Sequence, residues 1–389
     1  MKDAVSIVKC SSYEQSEVKA AMDRLFDGID ALDFIRPGMT VAIKVNLVSA
    51  MKPEKGATTH PALVAELCRR ISDLGATPVV GDSPGGPFTG IYLKGVYSST
   101  GMHDVERAGG KLNSNFETCR CEDFPEGAVL KNFTYSSWLA EADCIINFAK
   151  LKTHGMMSLS AAVKNLFGAI PGTIKPEYHY RFPNSRDFAN MLIDIDEFLK
   201  PSLSIVDGVV GMEGNGPTQG KARQIGIIAA SRSPYDLDAV CADVIGLSAD
   251  RVPTIELANE RGLGKRLCDV EVVGDADYVK IDDFDNIERP NDVEFFTGLL
   301  GLKGKFFNRI AKWALSTRPK LKSSECVGCK KCEGICPAKA ITMKNARPKI
   351  DRDVCIRCFC CQEFCPKGAL KVHRPLVARI LTKSDSSSK

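Results

Sequence analysis

Nine of the chain's sixteen cysteines fall between Cys326 and Cys365, in two runs of one design. The first reads Cys326-Val-Gly-Cys329-Lys-Lys-Cys332-Glu-Gly-Ile-Cys336-Pro337, the second Cys355-Ile-Arg-Cys358-Phe-Cys-Cys361-Gln-Glu-Phe-Cys365-Pro366. Both follow C-x2-C-x2-C-x3-C-P, and the spacing has a geometric purpose. Three thiolates on one tight loop can reach three irons of a cubane, and a fourth cysteine follows the loop. The proline after each run breaks the loop and turns the chain. Eight such thiolates suit two 4Fe–4S clusters. Structural zinc is the plainer alternative, because C-x2-C pairs also bind it. Zinc sites, however, use two pairs of cysteines rather than two triplets each with a trailing Cys-Pro. Cys360 falls outside the spacing and reads as a spectator.

The remaining cysteines (Cys10, Cys68, Cys119, Cys121, Cys144, Cys241 and Cys268) are scattered, and most read as small buried hydrophobes, with the Cys119-Arg120-Cys121 pair open to a reactive reading. The composition is that of an ordinary globular protein, with 44% hydrophobic and 26% charged residues. A net charge of +4 is too small to argue for nucleic acid, which is the weakest of the partner readings. No apolar run is long enough to span a bilayer, and Met1-Lys2-Asp3-Ala4-Val5 leads directly into a strand-like segment. The expectation is a cytoplasmic protein without a transmembrane segment, in a compartment that keeps thiols reduced.

A second set of chemically capable residues lies at the ends of expected strands, where open α/β sheets bind ligands. Lys44 and Asn46 end one strand, and Gly81-Asp82-Ser83-Pro84-Gly85-Gly86 follows another. Lys150-Leu-Lys152-Thr153-His154 follows Cys144–Phe148, with Lys164-Asn165 farther on. Asp207 leads toward Gly211-Met-Glu213. If these segments converge, Lys44, Lys150, Lys152 and Lys164 form an electropositive pocket for carboxylate or phosphate. Asp82, Asp207 and Glu213 would balance that charge or bind a divalent cation. His154 and His60, with Lys152, are the candidates for moving protons. Each residue also has a duller reading: Asp82 and Ser83 as turn or cap residues, Thr58, Thr59 and His60 as a helix start, the lysines as solvated loop ends.

Two nucleotide motifs fail. The run Gly216-Pro-Thr-Gln-Gly220-Lys221-Ala222 has Asn at 215 where a P-loop needs glycine, and Ala222 lacks the magnesium-binding hydroxyl. No G-x-G-x-x-G follows the first strand. Flavin sites have no single short motif, so flavin stays open; it would convert single-electron delivery into two-electron chemistry.

The elements that must carry these residues alternate. Ala4–Lys9, Thr40–Val45, Thr77–Val80, Cys144–Phe148, Leu203–Val206 and Gln224–Ala229 read as buried strands. Leu63, Val64, Leu67, Ile71 and Leu74 mark an amphipathic helix that Pro61 opens and Gly75 ends. Gln15–Leu32, Asp187–Leu199 and Tyr235–Ile245 have similar patterns. This predicts an α/β domain over residues 1–285, its mainly parallel sheet covered by helices. A basic connector at 286–320, with an amphipathic helix over Lys305–Thr317, leads to a small α+β cluster domain at 321–372 and a polar tail at 373–389.

Residues 321–372 resemble bacterial-type two-cluster ferredoxins. The resemblance implies crossed ligation, each fourth cysteine serving the other cluster. Cys326, Cys329, Cys332 and Cys365 would hold one cluster; Cys355, Cys358, Cys361 and Cys336 would hold the other. Ala42-Ile-Lys44-Val-Asn46, Thr58-Thr-His60-Pro61, Gly81-Asp82-Ser83-Pro84-Gly85, Lys150-Leu-Lys152-Thr153-His154, Val163-Lys164-Asn165-Leu-Phe-Gly168 and Asp207 through Pro217 resemble domain-of-unknown-function family 362. That resemblance implies an iron–sulfur redox protein without an assigned activity. The reading is of two clusters exchanging electrons between a partner protein and the α/β domain, which would reduce a small anionic substrate. The alternative is a non-catalytic electron carrier or metal-handling accessory that docks a protein partner; in another, the cluster module is purely structural.

Overall fold

The structure, a computed structural model, describes residues 4–287 and 317–373. It divides into two compact units, Met1–Asn286 and Ile287–Lys389. The large unit is built on a nine-stranded sheet. Its strands are β1 (Val5–Lys9), β2 (Thr40–Val45), β3 (Thr77–Gly81), β4 (Lys111–Leu112), β7 (Cys144–His154), β8 (Ser158–Ser160), β9 (Leu203–Glu213), β10 (Lys221–Ser231) and β11 (Val272–Gly274). A separate hairpin pairs β5 (Thr118–Cys121) with β6 (Phe133–Ser136). The sheet order is β11-β1-β10-β9-β7-β2-β3-β4, with β8 folded back onto β7. Pairing is parallel except for β10, which hairpins out of β9 and is antiparallel to β9 and β1, and for β8.

Alternation along the strands divides the core. Val41, Ile43 and Val45 of β2 and Phe148 of β7 pack on the face covered by helices Gln15–Asp27, Pro61–Asp73 and Gly90–Thr100. Ala149 and Leu151 point the other way, against helices Pro234–Val244 and Pro253–Glu260. Both faces are covered, as near-continuous apolar strands require.

Helix ends follow their capping residues. Asn184 and Ser233 accept the N–H groups of Asp187 and Asp236, so these helices begin at Ser185 and Pro234. Gly28 follows the last residue of the helix expected to run to Leu32. The chief departure is length: β7 continues past Phe148 to His154, and β9 past Val206 to Glu213. The segments read as loops after those strands are therefore strand themselves.

In the small unit, β12 (Arg318–Leu321) pairs with β15 (Leu370–His373), and β13 (Ile341–Lys344) with β14 (Arg347–Ile350). Residues 318–320, read as the end of the connector, form a strand of the small unit with Leu321. The basic helix expected over Lys305–Thr317 and the tail at 373–389 lie, apart from Thr317 and His373, outside the described residues.

Candidate functional site

Each of two lysines expected to line an open pocket is instead buried in an ion pair. Lys44 Nζ lies 2.7 Å from Asp82 Oδ1, and Lys150 Nζ lies 2.7 Å from Asp207 Oδ2, with both lysine side chains fully enclosed. Burial pushes both ammonium pKa values down, and the facing carboxylates oppose that shift. Lys44 alternates with Ile43 and Val45, whereas Lys150 shares the face of Phe148. The two pairs therefore lie on opposite faces of the sheet and do not form one pocket.

The first pair belongs to a chain of amides at the end of β2. Asn165 Nδ2 donates to the Lys44 carbonyl and to Asn147 Oδ1, while Asn46 Nδ2 donates to Asn165 Oδ1 at 2.8 Å. Asn46 Oδ1 in turn accepts from Lys152 Nζ at 2.8 Å, and Lys152 also donates to the Ala57 carbonyl. Lys44, Asp82 and Lys152 thus join one network. Gly168 sits directly over it: a Cβ there would lie 2.2 Å from Asp82 Oδ1 and 2.3 Å from Lys44 Nζ, so only glycine fits.

The second pair is closed by Tyr13, which the sequence reading missed because no motif marks it. Its hydroxyl donates to Asp207 Oδ1 and accepts from Lys150 Nζ, both at 2.9 Å. Its ring stacks on His60 at 3.5 Å. His60 caps helix Pro61–Asp73 by accepting the Ala62 N–H on Nδ1, and its backbone N–H donates to Asp207 Oδ2. Burial lowers the His60 pKa to about 4, with Lys150 adding to the shift and Asp207 opposing it, so the ring is neutral at pH 7.

The other candidates stand apart. His154, buried at the end of β7, accepts the Met156 and Met157 N–H groups on Nδ1, which leaves the proton on Nε2. Lys164 is half-buried, 5.9 Å from the Phe167 ring centroid. Glu213 accepts from the Asp285 N–H at 3.3 Å. Among the described residues no three His, Cys, Asp or Glu side chains draw together onto a single ion.

The small unit shows the repeat in its backbone. Gly328 and Arg357, each just before the second cysteine of its run, have positive φ, as do Lys330 and Phe359 just after it. This alternation curls each loop so that successive N–H groups face a common centre, suited to an anionic group. The Ala340 N–H donates to Cys336 Sγ at 3.3 Å, and the Ala369 N–H donates to Cys365 Sγ at 3.2 Å. A pocket is lined by Cys326, Cys329, Cys332 and Cys365. A second is lined by Cys336, Cys355, Cys358 and Cys361. Cys360 lines neither. The donor set fits iron–sulfur clusters: thiolates ring each space, with the remaining walls largely apolar.

Comparison with known proteins agrees with this division. Residues 318–366 match the 4Fe-4S dicluster domain, and residues 41–243 match the domain of unknown function DUF362. The thylakoid-associated protein sll1697 of Synechocystis sp. is 30% identical over 270 residues, covering 68% of this chain and 81% of that protein. Among solved structures, the lactate racemase apoprotein of Thermoanaerobacterium thermosaccharolyticum has a TM-score of 0.40 at 14% identity, covering 63% of this chain and 57% of that one. A protein of Thermotoga maritima has a TM-score of 0.36 at 12% identity, covering 65% and 60%. The chain spans less than two thirds of either of these two. Among the described residues no helix is long and apolar enough to cross a membrane. Over the sheet that carries the buried lysine pairs, the chain belongs to the DUF362 family, and its C-terminal unit is an iron–sulfur domain of the 4Fe-4S dicluster type.

Proposed function

We propose that the chain holds two 4Fe–4S clusters, one on Cys326, Cys329, Cys332 and Cys365 and one on Cys355, Cys358, Cys361 and Cys336, and exchanges single electrons with a redox partner protein. The observation that carries this is the pair of cavities, each lined by one crossed quartet of thiols. The groups bound there would supply reversible one-electron transfer. The protein's part is to hold the thiolates in place and present N–H donors to the sulfurs, as Ala340 and Ala369 do. The reducing cytoplasm suits this chemistry.

A second reading is reduction of a small anion in the large unit. It is favoured by the position of Lys152 at the strand ends, linked through Asn46 and Asn165 to Lys44, with His154 two residues on presenting a protonated Nε2. Half-buried Lys164 would complete the anion's surroundings and His60 would relay protons. The enclosure of Lys44 and Lys150 by Asp82 and Asp207 favours the carrier reading.

The test is anaerobic purification with iron and acid-labile sulfide analysis and a visible spectrum. About eight irons and eight sulfides per chain, bleached by dithionite, are expected. Zinc without sulfide would overturn the proposal. Flavin bands, with reoxidation of the reduced protein by a substrate and its loss in Lys152→Ala and His154→Ala, would establish the reductase.

A further inference from the structure

The repeat makes equivalent positions in the two cysteine runs directly comparable. At two of them lysine at the first cavity corresponds to an apolar residue at the second, while Arg357 stands where the first run has Gly328. Lys330 follows the second cysteine of the first run where Phe359 stands in the second. Lys367 follows Pro366 where Ala338 follows Pro337. Because each fourth cysteine lines the cavity of the other run, Lys330, Lys331 and Lys367 all border the first cavity, while Phe359 and Ala338 border the second. The three lysines are exposed, as is Cys329, and Val327 beside them is 61% exposed. Around the second cavity Phe359, Cys358 and Cys361 are buried. Among the described residues none of the three lysines pairs with a carboxylate. Two acids of the same segment are committed, Glu325 to Lys322 and Lys371, and Glu333 to the Met343 N–H. From Arg318 to Lys371, thirteen Lys and Arg stand against five Asp and Glu.

An exposed apolar centre with a rim of one charge is the surface of a transient contact, in which charge sets the encounter rate and small area permits quick release. We infer that the module is one-sided: an acidic redox protein docks over Val327, its carboxylates facing Lys330, Lys331 and Lys367, and exchanges electrons only at the first cavity. The inference rests on the two-cluster reading. One electron leaves the reduced partner, which is thereby oxidised, and arrives at the iron–sulfur centre held by Cys326, Cys329, Cys332 and Cys365, which is reduced. No bond forms or breaks.

The test uses the full chain, with iron and sulfide measured beforehand, and an acidic flavodoxin as probe. Association is followed by calorimetry and electron exchange by stopped flow across a salt series. The expected result is an association rate that falls steeply with salt. Lys330→Glu with Lys331→Glu, and separately Lys367→Glu, should lower it about tenfold or more at low salt with an unchanged visible spectrum. Arg357→Glu, the same charge change on an exposed residue bordering the second cavity, should change it less than about twofold. Equal slowing by Arg357→Glu, or a rate indifferent to salt, would overturn the one-sided port while leaving the clusters standing. So would rim variants that lose binding to phosphatidylglycerol vesicles yet exchange with flavodoxin at the original rate. Absence of iron and sulfide would overturn the cluster reading itself, and with it the port.

Discussion

A fully enclosed ammonium must be met by a carboxylate or give up its proton, and Lys150 is met by Asp207, with Tyr13 completing the contacts. Removing one partner leaves an uncompensated buried charge. Asp207→Ala should therefore cost about 3–5 kcal/mol, read from urea unfolding. The double variant Lys150→Met with Asp207→Leu should recover most of that loss, because two apolar groups leave no charge stranded. A single variant within about 1 kcal/mol of the parent would mean that the pair carries no charge. His179 poses the opposite problem. It is buried, stacked on Phe188 at 4.4 Å, and its Nδ1 has no hydrogen-bond partner among the described residues. Burial, followed by Lys164 and Lys175, lowers its pKa to about 3. The folded ring therefore refuses the proton that the unfolded chain accepts near pH 6.5, so stability is lost as pH falls from there toward 3. His60, at about 4, loses stability over the upper part of the same window, by on the order of 3 kcal/mol. His179→Phe keeps the ring stack and removes both the orphan nitrogen and its titration. It should raise stability by about 1–2 kcal/mol at pH 7 and by more at pH 5. Parallel pH–stability curves for variant and parent would refute this account of His179.

At the scale of elements, the parallel strands and their helices were legible because period and punctuation agreed: Pro61 and Gly75 bracket one helix, and Thr40–Val45 is observed with the bounds expected. The lengths of β7 and β9 were not legible. A lysine in a strand reads as its end, since nothing local says that Asp207 lies opposite Lys150 across the ladder. The expected convergence on one pocket failed for the same reason: two of the lysines close on Asp82 and Asp207, and Tyr13 comes from the segment just before helix Gln15–Asp27. The crossing of the cysteine runs came from resemblance, and the two-cluster proposal adopts it. It makes a prediction that simple local ligation does not. Cys336→Ser should spare the cluster held by the rest of its own run and lose the one seated on Cys355, Cys358 and Cys361. Iron should drop from about eight to about four per chain. Anaerobic alkylation of the variant should spare Cys326, Cys329 and Cys332, shielded by the remaining cluster, and label Cys355. Protection of the second loop instead would rule out the crossing.

The whole molecule joins two units held together by different physics. The large one buries both faces of its sheet and has cores of Val, Ile, Leu and Phe on either side. Among the described residues, the small one has an apolar cluster of Ile341, Cys361 and Leu370, with Leu321, Cys332, Cys336 and Ile350 packed around them. Three of those seven side chains are cysteines of the runs. A core so small contributes only about 3–5 kcal/mol at best, which does not offset the entropy of ordering the chain. Its folding should therefore depend on the bound metal, as in other small metal-stapled domains. The left-handed backbone at Arg357, Phe359 and Lys330 adds a cost of about 1 kcal/mol each that metal ligation must offset. Stripping iron by anaerobic chelation should abolish hydrogen-exchange protection in β13 and β14. Amides of β2, β7 and β9 should exchange at their original rates, and the unfolding of the large unit should move by no more than about 2 °C. Protected β13 amides in the iron-free chain would show that the small unit folds on its own residues. Loss of protection in β7 as well would show that the large unit, too, depends on the iron.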